Sequence, residues 1–215
     1  MVRDLIFDEP LFVALLPVKA PGTGKSRLVD LRDEDRTALA AAFATDVVTA
    51  CRSTSAVAEI VMITDDLGFA ASLPGVVPCT DPGGGLNAAL RYGAAQARRT
   101  HPRLRPVALC ADLPSLTGAD LLCAFDLIAS HAQPCFLTDA DGTGTTLYSA
   151  TYEEFDPQYG PGSAQAHHAS GAVGLPGALL TARHDVDDMA DLSAAIELGV
   201  GAATRAVLAS LALPR

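Results

Sequence analysis

The 215 residues carry 25 Asp and Glu against 15 Lys and Arg, a formal charge of −10. A surface that acidic repels nucleic acid, whose binding rests on neutralising phosphates, so DNA and RNA are excluded as expected partners. Hydrophobic residues make up 49% of the chain, enough to bury a large core and to exclude disorder, and the length suits one domain over 1–215.

Aromatic content is 5% with no Trp. The core is therefore expected to consist of Ala, Val, Leu and Ile, which suits strands covered by helices on both faces. The five cysteines, Cys51, Cys79, Cys110, Cys123 and Cys135, are scattered without a C-x-x-C pair. They read as buried thiols in a reducing cytoplasm, not as a zinc site or a disulfide framework. The apolar stretch Leu11–Val18 is too short for a membrane span and follows Asp8 and Glu9, whereas a signal peptide has a cationic lead-in.

In chain order, Leu11–Val18 reads as a first strand, ended by the turn-prone Ala20-Pro21-Gly22-Thr23-Gly24. Asp33–Arg52 has apolar residues at helical spacing, with Asp33 or Asp35 as its expected N-cap. Glu59–Thr64 reads as a second strand, Gly68–Leu73 as a short helix and Val76–Cys79 as a short strand. The Asp81–Gly85 loop leads into a helix from Leu86 to about Arg99, and Arg105–Cys110 reads as a strand. Thr117 caps a helix running to Ser130, and Pro134–Thr138 and Thr145–Ala150 flank a Gly-rich turn as strands. The remaining expectations are helix over Ser163–Ser170, strand over about Ala178–Val186, and helices over Met189–Leu198 and Ala202–Leu211. Strands alternating with helices predict a mostly parallel sheet whose ligands sit at the carboxyl ends of the strands.

The residues with chemical potential fall just after strands. Lys19, Lys25 and Arg27 follow the first strand around a Gly-rich loop, an arrangement suited to a triphosphate. Gly24-Lys25-Ser26 imitates a P-loop, but the glycine required five positions before Gly24 is Lys19; a solvated basic loop is the plain alternative. Asp112 ends the run Val107–Cys110, and Asp185-Val186-Asp187 ends the last expected strand. In extended chain, residues i and i+2 face the same way, so Asp185 and Asp187 can converge with Asp112 on a hard cation. The alternative is that these acids decorate a helix N-terminus, a role expected of Asp188. Asp141–Thr146 is either a tight hairpin or a set of N–H and O–H donors, Thr145 included, for a small anion. Ser163 is expected as an N-cap after Gly160-Pro161-Gly162, His168 as a surface residue, and Asn87 as a helix cap or a contact to a nucleobase.

Taken together, Pro17-Val18-Lys19, Lys25–Leu28, Leu86–Leu90, Asp112–Pro114, Gly142–Thr145, Gly160-Pro-x-Ser163 with His167, and Asp185-Val186-Asp187 run in register over about 12–204. In this the chain resembles the phospholactate or phosphoenolpyruvate guanylyltransferases that act in assembly of the deazaflavin coenzyme F-420. The resemblance implies an α/β fold of three αβα layers: a Rossmann-like, glycosyltransferase-A-type nucleotidyltransferase with a mostly parallel sheet. It implies that Asp112, Asp185 and Asp187 bind two Mg²⁺ ions, that Thr145, Gly160 and Ser163 line the acceptor pocket, and that Lys19, Lys25 and Arg27 face the GTP phosphates. The chain departs from the family at Ala111, where relatives have Gly before Asp-Leu-Pro, and in its compact Gly83–Gly85 stretch.

The expected reaction joins GMP from GTP to phosphoenolpyruvate or 2-phospho-L-lactate and releases pyrophosphate. The acceptor's phosphate oxygen is already anionic, so no general base is required, in keeping with the lack of an evident nucleophile–base arrangement in the sequence. The alternatives are a molybdopterin- or sugar-phosphate-type nucleotidyltransferase of the same fold, whose Leu-Ala-Gly-Gly and Arg-Met-Gly signatures this chain lacks, and a nucleotide-binding module without catalysis. The product is a labile phosphoanhydride, for which transfer to the next pathway enzyme is plausible.

Overall fold

The computed structural model describes residues 11–19, 28 and 31–211. Among the described residues seven strands form one sheet in the order β3-β2-β1-β4-β6-β5-β7: β1 (Phe12–Pro17), β2 (Val57–Thr64), β3 (Val76–Thr80), β4 (Arg105–Leu109), β5 (Cys135–Thr138), β6 (Thr145–Ser149) and β7 (Val173–Gly174). Strands β1 to β4 are mutually parallel, and β6 runs antiparallel between β4 and β5. The helices are α1 (Asp33–Arg52), α2 (Leu67–Ser72), α3 (Leu86–Thr100), α4 (Gly118–Ala129), α5 (Ser163–Ala169), α6 (Leu180–Arg183), α7 (Met189–Leu198) and α8 (Ala202–Ser210).

The strands are apolar on both sides, and alternate residues separate into two cores as the period of two requires. Phe12, Ala14 and Leu16 of β1 join Ile60, Met62, Val107 and Leu109 beneath α1 and α4. Val13 and Leu15 face the other way with Val61, Ile63, Ala108 and Tyr148 beneath α3 and α5. A third cluster of Leu28, Leu39, Phe43, Val186, Leu192 and Ala195 joins α1 to α7. The result is a three-layer αβα architecture.

The chain leaves β1 toward β2 and β3, then returns to β4 on the opposite side of β1. The carboxyl ends of β1 and β4 thus flank the switch point, where open α/β sheets form a ligand crevice. Because β6 is antiparallel, its amino end reaches that same edge: the Cys110 amide, just past β4, donates to the Thr146 carbonyl at 2.8 Å. Thr145 is therefore brought beside the turn that carries Asp112.

One expected element is replaced. Residues 178–186 form no strand; Leu179 adopts a left-handed conformation (φ 38°) and α6 follows. The apolar run misleads because its exposure follows a helical turn: Leu179 and Ala182 are buried while Leu180 is 58% exposed. The two-residue strand β7 has too little sequence to announce itself. Nor does Asp33 or Asp35 cap α1. Its N-cap is Arg32, which makes no side-chain capping bond, and both acids lie in the first turn, Asp33 paired with Arg36 and Asp35 with Arg32.

Candidate active site

Asp112, Asp185 and Asp187 come together, each offering a carboxylate oxygen within 4.8 Å of the other two. The convergence is built by backbone. The Val186 amide donates to the Asp112 carbonyl at 3.0 Å, and the Val186 side chain is fully buried, so its two neighbours turn toward the crevice edge. Thr146 Oγ1 donates to the Ala182 carbonyl at 2.7 Å, which ties the segment entering Asp185 to β6. Beyond it, Asp188 and Asp191 form a capping box on α7, and Asp191 also accepts from the Asp187 amide at 2.9 Å. Asp188 is thus the cap that its position in the sequence implied.

Three carboxylates this close repel one another. Asp185 shows the effect: burial, and then the charges of Asp112 and Asp187, push its pKa up to about 7. An all-oxygen donor set of this kind suits a hard divalent cation such as Mg²⁺ or Mn²⁺, whose charge offsets both the burial and the repulsion.

Across the Cys110–Thr146 pairing lies a second polar group, buried beneath α5. Thr145 Oγ1 is 3.0 Å from His167 Nδ1 and 3.1 Å from Ser163 Oγ, and His167 Nε2 accepts the Gln158 amide at 2.9 Å. Thr145, Ser163 and His167 are 6%, 3% and 0% exposed. The imidazole stacks on Tyr148 at 4.6 Å and meets Phe136 and Tyr159 at 5.5 and 5.6 Å; burial lowers its pKa to about 4. Ser163 is not the N-cap of α5. That position belongs to Gly162 in a left-handed conformation (φ 71°), which leaves the Ser163 hydroxyl to Thr145. The turn before β6 is a hairpin held by Asp139, which accepts the Thr143 and Gly144 amides at 2.9 and 2.7 Å. A Cβ on Gly144 would sit 2.2 Å from that carboxylate, so a side chain there would push Asp139 off the amides it holds.

Asn87 is the second residue of α3, whose N-cap is Gly85. Its carboxamide donates to the Tyr159 carbonyl at 2.9 Å and accepts the Tyr159 amide at 2.8 Å. It therefore fastens the loop carrying Gly160 and does not cap. Gly83, Gly84 and Gly85 all have positive φ (78°, 84° and 88°), a path into α3 that side chains rarely follow. Gly160 and His168 are exposed, as is Lys19 beyond β1. Lys25 and Arg27 lie outside the described residues.

No family model matches the chain. Individual relatives do. A Streptomyces coelicolor protein named phosphoenolpyruvate guanylyltransferase is 46% identical over 204 residues, covering 92% of this chain and 95% of its own. The protein of that name from Streptomyces scabiei is 44% identical over 211 residues, covering 93% and 97%. This chain belongs to the phosphoenolpyruvate guanylyltransferase family. That membership answers the molybdopterin- and sugar-phosphate-type alternative, and as a nucleotidyltransferase the chain is an enzyme, not a binding module without catalysis.

Solved structures agree with the fold. A Desulfovibrio desulfuricans G20 protein assigned as a nucleotide-diphospho-sugar transferase superposes with a TM-score of 0.71 at 19% identity, covering 94% of this chain and 95% of that one. A 4-diphosphocytidyl-2C-methyl-D-erythritol synthase gives 0.61 at 14%, covering 88% and 99%. Rv0371c from Mycobacterium tuberculosis H37Rv, solved with manganese, gives 0.52 at 21%, covering 87% and 98%.

For the guanylyltransferase, sequence reasoning missed the part played by His167 and by the Tyr159 backbone. Burial of a histidine among aromatic rings has no local signature; the sequence marks His167 only by its place in the Gly160–Ser163 motif and by its position four residues after Ser163, one helical turn on.

Proposed function

We propose that this guanylyltransferase transfers GMP from GTP to phosphoenolpyruvate or 2-phospho-L-lactate, releasing pyrophosphate, as a step in coenzyme F-420 assembly. The observation that carries the reading is the carboxylate trio at the carboxyl end of β4, on the strand next to β1, which leads into Lys19 and, further along the sequence, Lys25 and Arg27. Asp112, Asp185 and Asp187 would hold Mg²⁺, as two ions; manganese in the similarly folded Rv0371c supports a divalent metal. When bound, the metal supplies positive charge against the triphosphate and the departing pyrophosphate.

The protein's own contribution is positioning and electrostatics. The acceptor's phosphate oxygen attacks the α-phosphorus of GTP as the bond to pyrophosphate breaks. No side chain needs to take a proton, because that oxygen is already ionised. We assign Lys19, Lys25 and Arg27 to the polyphosphate, and the Thr145 and Ser163 hydroxyls with the Gly160 backbone to the acceptor's anionic groups. Asn87 fixes the Tyr159–Gly160 backbone between the acceptor side and the α3 entry, where the nucleotide's base is expected. The chain works as one domain in the cytoplasm, without nucleic acid or membrane partners, and hands its labile product to the next enzyme. Among the described residues no helix is long and apolar enough to cross a membrane.

The test is a matrix of nucleoside triphosphates against acceptors, read by adduct mass and pyrophosphate release in Mg²⁺. GMP adducts of phosphoenolpyruvate or phospholactate, formed only when both substrates are present, are expected. Adducts with sugar phosphates or with CTP, and none with GTP and either acid, would overturn the reading.

A further inference from the structure

The hydrogen bonds around His167 fix where its one proton lies. The Gln158 backbone amide can only donate, and it points at Nε2 from 2.9 Å, so Nε2 carries no hydrogen. The ring is enclosed by Phe136, Tyr148 and Tyr159 and stays neutral, its pKa lowered to about 4 by burial. Its single hydrogen is therefore on Nδ1, and it is donated to Thr145 Oγ1 at 3.0 Å.

That fixes the count for the hydroxyl pair. Thr145 and Ser163 own two O–H groups, and one hydrogen bond joins them, at 3.1 Å. With Nδ1 already a donor, it accepts neither O–H. Whichever way the Thr145–Ser163 bond runs, one hydroxyl hydrogen is left to donate outside the trio. The opposite tautomer would consume that hydrogen at Nδ1 and set an Nε2 hydrogen against the Gln158 amide. Both hydroxyls are nearly buried, and a donor so placed favours an anionic oxygen over water.

We propose that His167 is a positioning residue that never touches substrate: by donating to Thr145 Oγ1 it orients the Thr145–Ser163 pair so that the spare hydroxyl hydrogen points to the anionic acceptor. This rests on the reading above, in which those hydroxyls line the acceptor pocket. A histidine that only anchored the Gln158 amide would show the same tautomer but no bias between the two substrates.

Two measurements test it. Long-range ¹H–¹⁵N spectra of the wild-type protein, with the His167 signals identified by their loss in His167→Phe, are expected to show the Nδ1–H tautomer; an Nε2–H tautomer would overturn the proposal. In steady-state kinetics, His167→Phe keeps the ring stacking and removes both hydrogen bonds. With no Nδ1–H donated to Thr145 Oγ1, the spare hydroxyl hydrogen is free to turn away from the acceptor, whose KM should rise at least about tenfold, the size expected for misdirecting a hydrogen bond to a charged group, while the KM for GTP moves less than about threefold. His167→Asn, whose amide can still donate to Thr145, should recover most of the loss. Equal changes in both KM values, or no recovery with Asn, would overturn the role. A wild-type protein with the Nδ1–H tautomer but no turnover of any phosphorylated acid would overturn the acceptor reading and this role with it. The wrong tautomer in an active enzyme would overturn the role of His167 alone.

Discussion

Val186 and Asp112, far apart in sequence, are joined by a single backbone hydrogen bond of 3.0 Å, and it is this bond that delivers two further carboxylates to the end of β4. The Val186 side chain anchors in the cluster between α1 and α7, and the Asp188–Asp191 capping box holds the chain on the other side. The acidic site is thus formed by packing and backbone pairing in advance of any cation, at the cost of crowding like charges. Preorganisation of this kind lets a site favour the charge distribution of a transition state without rearranging.

Removing one carboxylate should therefore cost rate far more than fold. Asp187 is exposed. Asp187→Ala is expected to lower kcat by roughly 10²–10³-fold or more with little change in thermal midpoint. Near-normal turnover in saturating Mg²⁺ would leave Asp187 as a decoration of the α7 entry.

The two shifted groups pull stability in opposite directions with pH. Asp185, raised from 3.8 to about 7, keeps its proton in the folded state where the unfolded chain has lost it, so its contribution falls as pH rises from about 4 to about 7. His167, lowered from 6.5 to about 4, stays neutral where the unfolded chain is protonated, so its contribution rises from about pH 4 to 6.5. Without metal, Asp185→Asn should gain stability more steeply with pH across that window than wild type, and His167→Phe less steeply. Urea midpoints taken in chelator at several pH values would show this; parallel curves would mean that neither group is coupled to folding as described.

Thr145→Val keeps the shape of a buried side chain while removing its oxygen. It should raise the KM for the acceptor more than that for GTP, measured by varying each substrate against saturating partner. An equal effect on both would remove Thr145 from the acceptor side of the crevice.

Far from the site, Asp46 of α1 is 5% exposed and accepts the Ala203 and Thr204 amides at 3.0 and 2.9 Å. It caps α8 from another helix. Asp46→Ala should cost about 1–2 kcal/mol, as loss of a helix cap does, seen as a lowered denaturant midpoint with unchanged kcat.

Much of this architecture is readable in the chain itself. Helices α1 and α7 run over the residues expected, Asp33–Arg52 and Met189–Leu198, because their apolar spacing and flanking residues act locally. Parallel strands such as β2 announce themselves as continuous apolar runs. The segment at 178–186 deceives because a short helix packed by Leu179 and Ala182 leaves the same composition as a strand. Nothing local marks β6 as antiparallel, yet that direction is what places Thr145 beside Asp112. The partnership of Asp46 with α8, and of His167 with Gln158 and Thr145, likewise depends on pieces that only tertiary packing brings together. The aspartates of the site were legible as residue types in position, while their convergence rests on α6 and the Val186 bond, not on the expected strand.

In the proposed mechanism Asp112, Asp185 and Asp187 jointly hold the divalent metal used in guanylyl transfer. Anomalous diffraction from crystals grown with Mn²⁺ and GTP tests it most directly. Manganese peaks within coordination distance of the three carboxylates are expected, weakened or lost in crystals of Asp185→Asn. Manganese bound by the nucleotide alone, or at a place apart from these aspartates, would contradict it.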